Sequence, residues 1–402
     1  MQSPLNGVRI LDFSRVIAGP LCTQHLADLG AEVIKVENPI TGDEVRGRDE
    51  AGGAGRSAFF LAFNRSKQSL AIDLKDPDGQ RIVRDLVKKC DVLVENFRPG
   101  VMNRLGLDHE TLRAGQPELI YVAISAYGDQ GAMSDRPGFD PVLQAESGMM
   151  ALTGAPEHPP LRHPLSIIDT LTAAQATAAV CAALLAREKN GRGDFIDLAL
   201  VDTALAALAN AGLHYLTTGT VPERSGNSHM FATPTDLFQT RTKPIYMAVS
   251  SDKLFGQLCR DVLERPDLPE DPRFVHPGDR FRHRPELKAI IEEILMGQPS
   301  EHWLVKMRHL PAGEVRTLDV ALESPEAQER QMVREIDEPD GPIRVLGTPF
   351  KFAETPMAEL RSPPYLGEHT DTVLQNLLDL DDSALDDLRR RGVIKSHSVG
   401  GK

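Results

Sequence analysis

The chain of 402 residues is 41% apolar and 26% charged, enough for two or three domains with buried cores. Its 45 basic and 58 acidic residues leave a net charge of −13, so a nucleic-acid or anionic-membrane role has little electrostatic support. Four scattered cysteines, Cys22, Cys90, Cys181 and Cys259, show no metal-ligand or redox spacing, which makes a reducing cytoplasm the expected compartment and a metal centre unexpected.

Met1–Phe13 has no charged segment followed by an apolar run, so no signal peptide is expected. Gly7–Phe13 reads as a buried strand, Leu21–Leu29 as a helix closed by Gly30, and Ala31–Glu37 as a second strand. Ser69–Leu74, Asp91–Glu95 and Leu119–Ser125 read as further strands, with Asp78–Lys89 helical between the first two. Strands spaced by helices of this length predict an α/β fold, a Rossmann-like parallel sheet with helices packed on it. The first turn, Ser14–Pro20, lacks the spaced glycines of a dinucleotide site, so a nicotinamide or flavin dinucleotide lacks its phosphate turn.

Two helical stretches are expected between Thr170 and Thr218, with Gly191–Asp197 as a hairpin or strand insert. The apolar run Ala173–Ala186, broken by Gln175 and Thr177, reads as a buried helix too short to span a bilayer. Residues 1–220 form the first part of the large domain. Residues 221–323, richer in proline and arginine, form a smaller α+β domain with a strand at Ile245–Val249 and helices near Lys253–Leu263 and Pro285–Leu295. Residues 324–402 are expected to run back over the large domain, punctuated by Pro339, Pro342, Pro349, Pro356, Pro363 and Pro364. A last helical stretch covers Asp371–Arg391, and the tail from Ser396 is expected to be disordered.

Asp169 is the residue of most interest. It follows the apolar segment Leu165–Ile168 and precedes an alanine-rich helix, where the helix dipole favours an ionised carboxylate. The commoner role of an aspartate in that place is an N-cap. Zinc motifs, a nucleophile-elbow serine and a phosphate-binding Gly-x-x-x-x-Gly-Lys turn are all missing from the sequence. What remains is a set of polar turns at strand ends, several with a basic residue: Arg15, Lys67, Arg98 and Arg136, with Arg104 close behind. In a parallel sheet, ligands sit outside the carboxyl ends of the strands, so these turns suit a phosphorylated ligand. Taken singly, each is better explained as a solvated loop charge.

The segments Leu11–Ser14, Ala18–Pro20, Leu29–Glu37, Asn64–Lys67, Val94–Gly100, Arg136–Asp140 and Leu366–Thr370 together resemble the class III coenzyme A transferases, the CaiB/BaiF family that includes formyl-CoA and carnitinyl-CoA transferases. The resemblance runs in order through nearly the whole chain. It implies that Asp169 is a nucleophile, forming an aspartyl mixed anhydride and then an aspartyl-CoA thioester. Coenzyme A thioesters would be substrates, with no tightly bound cofactor. By motif position, Val16, Ile17 and Ala18 line the CoA loop, Lys67 and Arg104 are phosphate ligands, Asn96, Phe97 and Arg98 form a wall, and Arg136, Phe139 and Asp140 approach the nucleotide or thioester end. A family phosphate-binding arginine falls at Asn38, and Val249–Asp252 stands where the formyl-CoA enzymes have a glycine-rich lid.

The acyl end is assigned to Arg15, Asn227 and His229, with Arg224, Ser225 and Arg162 nearby, which suits a small polar acid and succinyl-CoA as donor. Gly226–His229 reads equally well as a plain turn. The family fold further implies an interlocked homodimer. Two other functions stay open. A 2-methylacyl-CoA racemase of the same fold needs an acid–base pair, and its histidine falls at Phe139 here. A non-catalytic CoA-binding protein would leave Asp169 as a cap alone.

Overall fold

A computed structural model describes residues 1–49, 51, 55–338 and 341–397. The chain forms two compact units. The larger comprises residues 1–147, 164–207 and 326–402, and the smaller comprises 148–163 and 208–325. The chain therefore first enters the smaller unit at 148–163, a segment expected in the large domain, and enters it again at Leu208, not at 221.

In chain order the large unit begins with β1 (Arg9–Asp12), α1 (Ala18–Asp28), β2 (Glu32–Glu37), α2 (Ala58–Phe63), β3 (Lys67–Ile72) and α3 (Pro77–Val87). It continues with β4 (Val92–Glu95), α4 (Val101–Leu105), α5 (His109–Gly115), β5 (Ile120–Ser125) and α6 (Asp140–Glu146). After α7 (Met149–Leu152), in the smaller unit, come α8 (Ile167–Asn190) and β6 (Phe195–Ala199). The insert expected at Gly191–Asp197 is thus a sheet strand, parallel to β5.

The sheet order is β3-β2-β1-β4-β5-β6, all parallel. This is the doubly wound order, which reverses direction between β1 and β4. The strands read as unbroken apolar runs because both sheet faces are covered. On one face Leu11, Ile34, Leu70 and Leu93 pack with Ile82, Val83 and Leu86 of α3. Elsewhere α1 and α8 pack on each other, and α8 reaches β5.

α1 starts three residues before the expected Leu21. Its end follows the sequence signal: Gly30 takes φ +103°, which lets the N–H groups of Gly30 and Ala31 close on Ala27 O and Leu26 O. α8 is longer than expected, and among the described residues it is the one helix long and apolar enough to cross a membrane. The expectation that it is too short for a bilayer is therefore corrected. In this fold its Ile168, Thr172, Ala173, Ala176, Thr177 and Val180 are buried.

The smaller unit holds an antiparallel sheet of β7 (Thr235–Phe238), β8 (Ile245–Ala248) and β9 (Ala312–Glu314). Phe238, Ile245, Met247, Phe255, Leu258, Ile291 and Trp303 form its core.

The return segment is less irregular than its prolines suggest. It contains a hairpin, β10 (Val333–Ile336) with β11 (Ile343–Leu346), and two helices, Thr370–Leu378 and Asp382–Arg390, where one was expected. Asp379 at φ +55° separates them. Their Val373, Leu374, Leu385 and Leu388 join the core of β1–β4. β12 (Ile394–Lys395) then pairs antiparallel with β3 at the sheet edge. Buried cations pin the segment between: Arg46 donates to Pro364 O at 3.0 Å, and Arg56 donates to Glu338, Pro363 O and Tyr365 Oη. Pro339 and the tail beyond His397 lie outside the described residues. Ser396 and His397, expected in a disordered tail, are held: Ser396 Oγ donates to Asp371 at 2.7 Å, and the His397 ring stacks on Tyr365.

Candidate active site

A cleft of about 280 Å³ opens at the switch point of the sheet, within the large unit. The turns after β1, β4 and β5 line it, together with the segment before α6 and the start of α8. It gathers Asp169, Arg15, Val16, Ile17, Ala18, Asn96, Phe97, Arg98, Arg136 and Phe139. The sequence reading did not include Glu44, Ser125, Ala126, Ser134 and Leu200, which also line it. Ser125 and Ala126 sit at the carboxyl end of β5, so the strand-end rule could have found them.

The two turns flanking the switch point are stitched together. Arg15 N donates to Asn96 Oδ1 and Asn96 Nδ2 donates to Arg15 O, both at 2.8 Å. The Arg15 guanidinium lies over the Phe97 ring at 4.5 Å from its centroid. Val16 holds φ +68°, a left-handed conformation that costs a β-branched residue on the order of 1–3 kcal/mol. Gly19 is required by close approach, since a Cβ there would lie 2.1 Å from the Ser14 Cβ. α1 begins at Ala18 in the cleft wall, and the first-turn N–H groups of a helix have no partner within it, which suits an anionic ligand.

Asp169 is the third residue of α8, and it is not the cap. The N-cap position is Ser166, whose side chain makes no capping bond. Capping comes from Asp140, at the start of α6. Its Oδ2 accepts from Ile168 N at 2.7 Å and from Asp169 N at 3.2 Å, and its Oδ1 accepts from Gln144 Nε2. Asp140 is 2% exposed, so its expected place beside the ligand is corrected: it lies behind Asp169 and holds it. The helix dipole, which favours an ionised Asp169, is opposed by its surroundings. Burial, with the Asp140 carboxylate adding to it, pushes Asp169 up to about 7.

Lys67 is a second correction. Its ammonium is fully buried, donates to Asp12 Oδ2, Pro20 O and Asn64 Oδ1 at 2.9–3.0 Å, and is not among the cleft lining. Burial outweighs the Asp12 carboxylate and pushes Lys67 down to about 8. Burial alone would raise Asp12, but Lys67 and Lys35 hold it at about 2. Arg104 lies on α4 and is not among the lining residues.

Arg136 lines the cleft, but it is partly committed to Glu146 at 2.5 Å. Asn38 uses its Oδ1 on Ile40 N and Thr41 N, capping its own turn.

Asn227 and His229 belong to the smaller unit, in a turn closed by Ser225 Oγ to Ser228 O and by His229 N to Thr235 O. Arg224 there donates to Ala155 O and His158 O. Val249–Asp252 is also tied down, by the buried Arg280, which donates to Ser250 O and to Asp252.

An ionisable carboxylate, a helix N-terminus and several guanidinium groups around one cleft suit nucleophilic attack on an activated acyl group carried by an anionic ligand. The comparisons agree. Residues 5–370 match CoA-transferase family III. The chain is 34% identical to human succinyl-CoA:glutarate CoA-transferase, covering 98% of this chain and 91% of that one. It is 38% identical to acetyl-CoA:oxalate CoA-transferase of Acetobacter aceti, covering 88% and 90%. The crystal structure of a CAIB/BAIF family protein from Brucella suis superposes with a TM-score of 0.84 at 33% identity, covering 94% of this chain and all of that one.

Proposed function

This chain belongs to CoA-transferase family III and is a CoA-transferase; we propose that Asp169 carries the acyl group and then coenzyme A. One observation carries the reading: the Asp169 side chain shares a single cleft with the Arg15–Ala18, Asn96–Arg98 and Arg136–Phe139 segments.

The Asp169 carboxylate attacks the thioester carbonyl of an acyl-CoA. The C–S bond breaks and the CoA thiolate leaves, giving a mixed anhydride. The thiolate then attacks the Asp169 carbonyl, expelling the donor acid and leaving an aspartyl-CoA thioester. The acceptor carboxylate attacks that thioester, releasing thiolate and forming a second anhydride. Thiolate attack on the acceptor carbonyl gives the new acyl-CoA and frees Asp169. A carboxylate is a weak nucleophile, so a fixed position supplies much of the rate, and Asp140 fixes it through the main chain of Ile168 and Asp169. Burial raises the basicity of Asp169, which makes it a better nucleophile once ionised. Phe139 brings no proton-transfer group to the cleft wall, which favours transfer over racemisation.

We assign succinyl-CoA as the donor to try first, with a short dicarboxylic acid as acceptor. The names of the relatives from human and A. aceti pair CoA donors with glutarate and oxalate. Arg15 and Arg98 in the cleft suit a second carboxylate. The active unit is proposed as an interlocked homodimer, on the strength of the resemblance and of a large unit built from both ends of the chain. The four cysteines are free, which fits a reducing cytoplasm.

The test is to incubate the protein with succinyl-CoA, quench with hydroxylamine or borohydride, and map the modified peptide by mass spectrometry. The Asp169 peptide carries the adduct, and Asp169→Ala binds CoA thioesters but neither reacts nor transfers. An Asp169→Ala variant with near-normal turnover sinks the proposal.

A further inference from the structure

The Ser14–Ile17 turn and the first turn of α1 rest on a buried ionic layer that the proposed chemistry does not use. Asp12, Lys35, Asp43 and Lys67 are each 3% exposed or less. They pair as Lys67–Asp12 and Lys35–Asp43, both at 3.0 Å. The lysines reach beyond their partners to the loop itself. Lys35 Nζ donates to Ser14 O at 2.7 Å, and Lys67 Nζ donates to Pro20 O at 2.9 Å. The carboxylates accept from it: Asp12 Oδ1 takes Ser14 N at 2.9 Å, and Asp43 Oδ2 takes Val16 N at 3.3 Å.

Buried ion pairs are poor stabilisers compared with apolar side chains of the same volume, because desolvation offsets their attraction. This layer therefore adds little that leucines could not. What it adds is direction. Cations hold the carbonyls of Ser14, at the start of the turn, and of Pro20, in the first turn of α1, and an anion holds an N–H between them, at the left-handed Val16. Val16, Ile17 and Ala18 stand in the cleft wall between those fixed points.

We infer that Lys67 is a positioning residue: its simultaneous grip on Asp12 and Pro20 O sets the Val16–Ala18 main chain in the shape that receives the CoA thioester. The inference rests on the reading that an acyl-CoA fills this cleft. It replaces the phosphate contact that the resemblance implied for Lys67.

Two variants separate positioning from stability. Lys67→Met removes the charged donor to Pro20 O, which keeps the Thr23 hydroxyl at 3.1 Å, and leaves the Asp12 carboxylate buried without its ion-pair partner. Asp12→Asn/Lys67→Met removes both charges, so stability recovers, but Pro20 O still lacks its charged donor. Two readouts apply to each: amide hydrogen exchange of the peptide spanning residues 14–22 without ligand, and steady-state kinetics with succinyl-CoA. Faster exchange is expected in both variants. KM for the thioester rises about ten-fold, the effect of losing one charge-assisted hydrogen bond, while kcat stays within about two-fold. If the charge-free double variant restores both exchange and KM to wild-type values, Lys67 serves only to neutralise Asp12 and the inference is overturned. Should wild-type protein fail to saturate with any acyl-CoA, the reading of the cleft falls, and the exchange comparison alone decides for or against Lys67.

Discussion

Replacing Asp169 by Asn should abolish transfer and, at alkaline pH, make the protein more stable. The unfolded aspartate titrates near 3.8, and the folded one near 7. Between those values the folded state binds the extra proton, so stability falls as pH rises. The loss accumulates at about 1.4 kcal/mol per pH unit and is complete above the folded value, at roughly 4 kcal/mol. Asparagine does not titrate and escapes it. From about pH 5 to about pH 8 the advantage of Asp169→Asn over wild type should therefore grow by roughly 3 kcal/mol. That is several degrees in melting temperature for units of this size. The measurement is thermal unfolding of both proteins across that range at fixed ionic strength. A constant difference between them, or an advantage that shrinks with pH, refutes a buried Asp169 with a raised pKa.

Three further outcomes follow from the same geometry. In wild type, kcat/KM for the acyl-CoA should rise with pH through about 7, as the free enzyme ionises Asp169. Asp140→Asn keeps an oxygen to accept from Ile168 N and Asp169 N but removes the charge, so that limb should move to lower pH; an unmoved limb assigns the titration to another group. Light scattering should show a dimer that dilution does not dissociate, and a reversible monomer at micromolar concentration argues against interlocked chains. In a panel of acids assayed against succinyl-CoA and acetyl-CoA, short dicarboxylates should give CoA esters, whereas esters from bulky apolar acids alone would defeat the assignment of the cleft arginines.

The sheet was legible because its strands carry their burial in their composition: Val92–Val94 and Ile120–Ile124 are apolar throughout, as both covered faces require. The cleft was legible from the same source, since strand-end turns are the places a parallel sheet offers to ligands. What could not be read were contacts between residues distant in sequence. Asp140 caps α8 across 28 positions, and no local pattern distinguishes such a cap from a ligand-binding aspartate. Lys67 likewise sits in a polar turn that reads as solvent-facing, until the packing of β1 against β2 and β3 buries it on Asp12. β12 has two residues, too few for any periodicity, and it exists only because β3 offers an edge. The passage of residues 148–163 to the smaller unit carries no compositional break.

The pairing of β12 with β3 has a consequence for how the polypeptide is made. More than three hundred residues separate Ile394 from Ile72. A ribosome has therefore completed the whole of the smaller unit before the strand that covers β3 emerges. Through that interval the nascent chain presents β3 as an open edge, and part of the core lacks Leu374, Leu385 and Leu388. An uncovered parallel edge invites pairing with other chains. A message truncated ahead of Leu374 would lack both the edge strand and these core leucines, and would thus yield an aggregation-prone product in place of a shortened transferase.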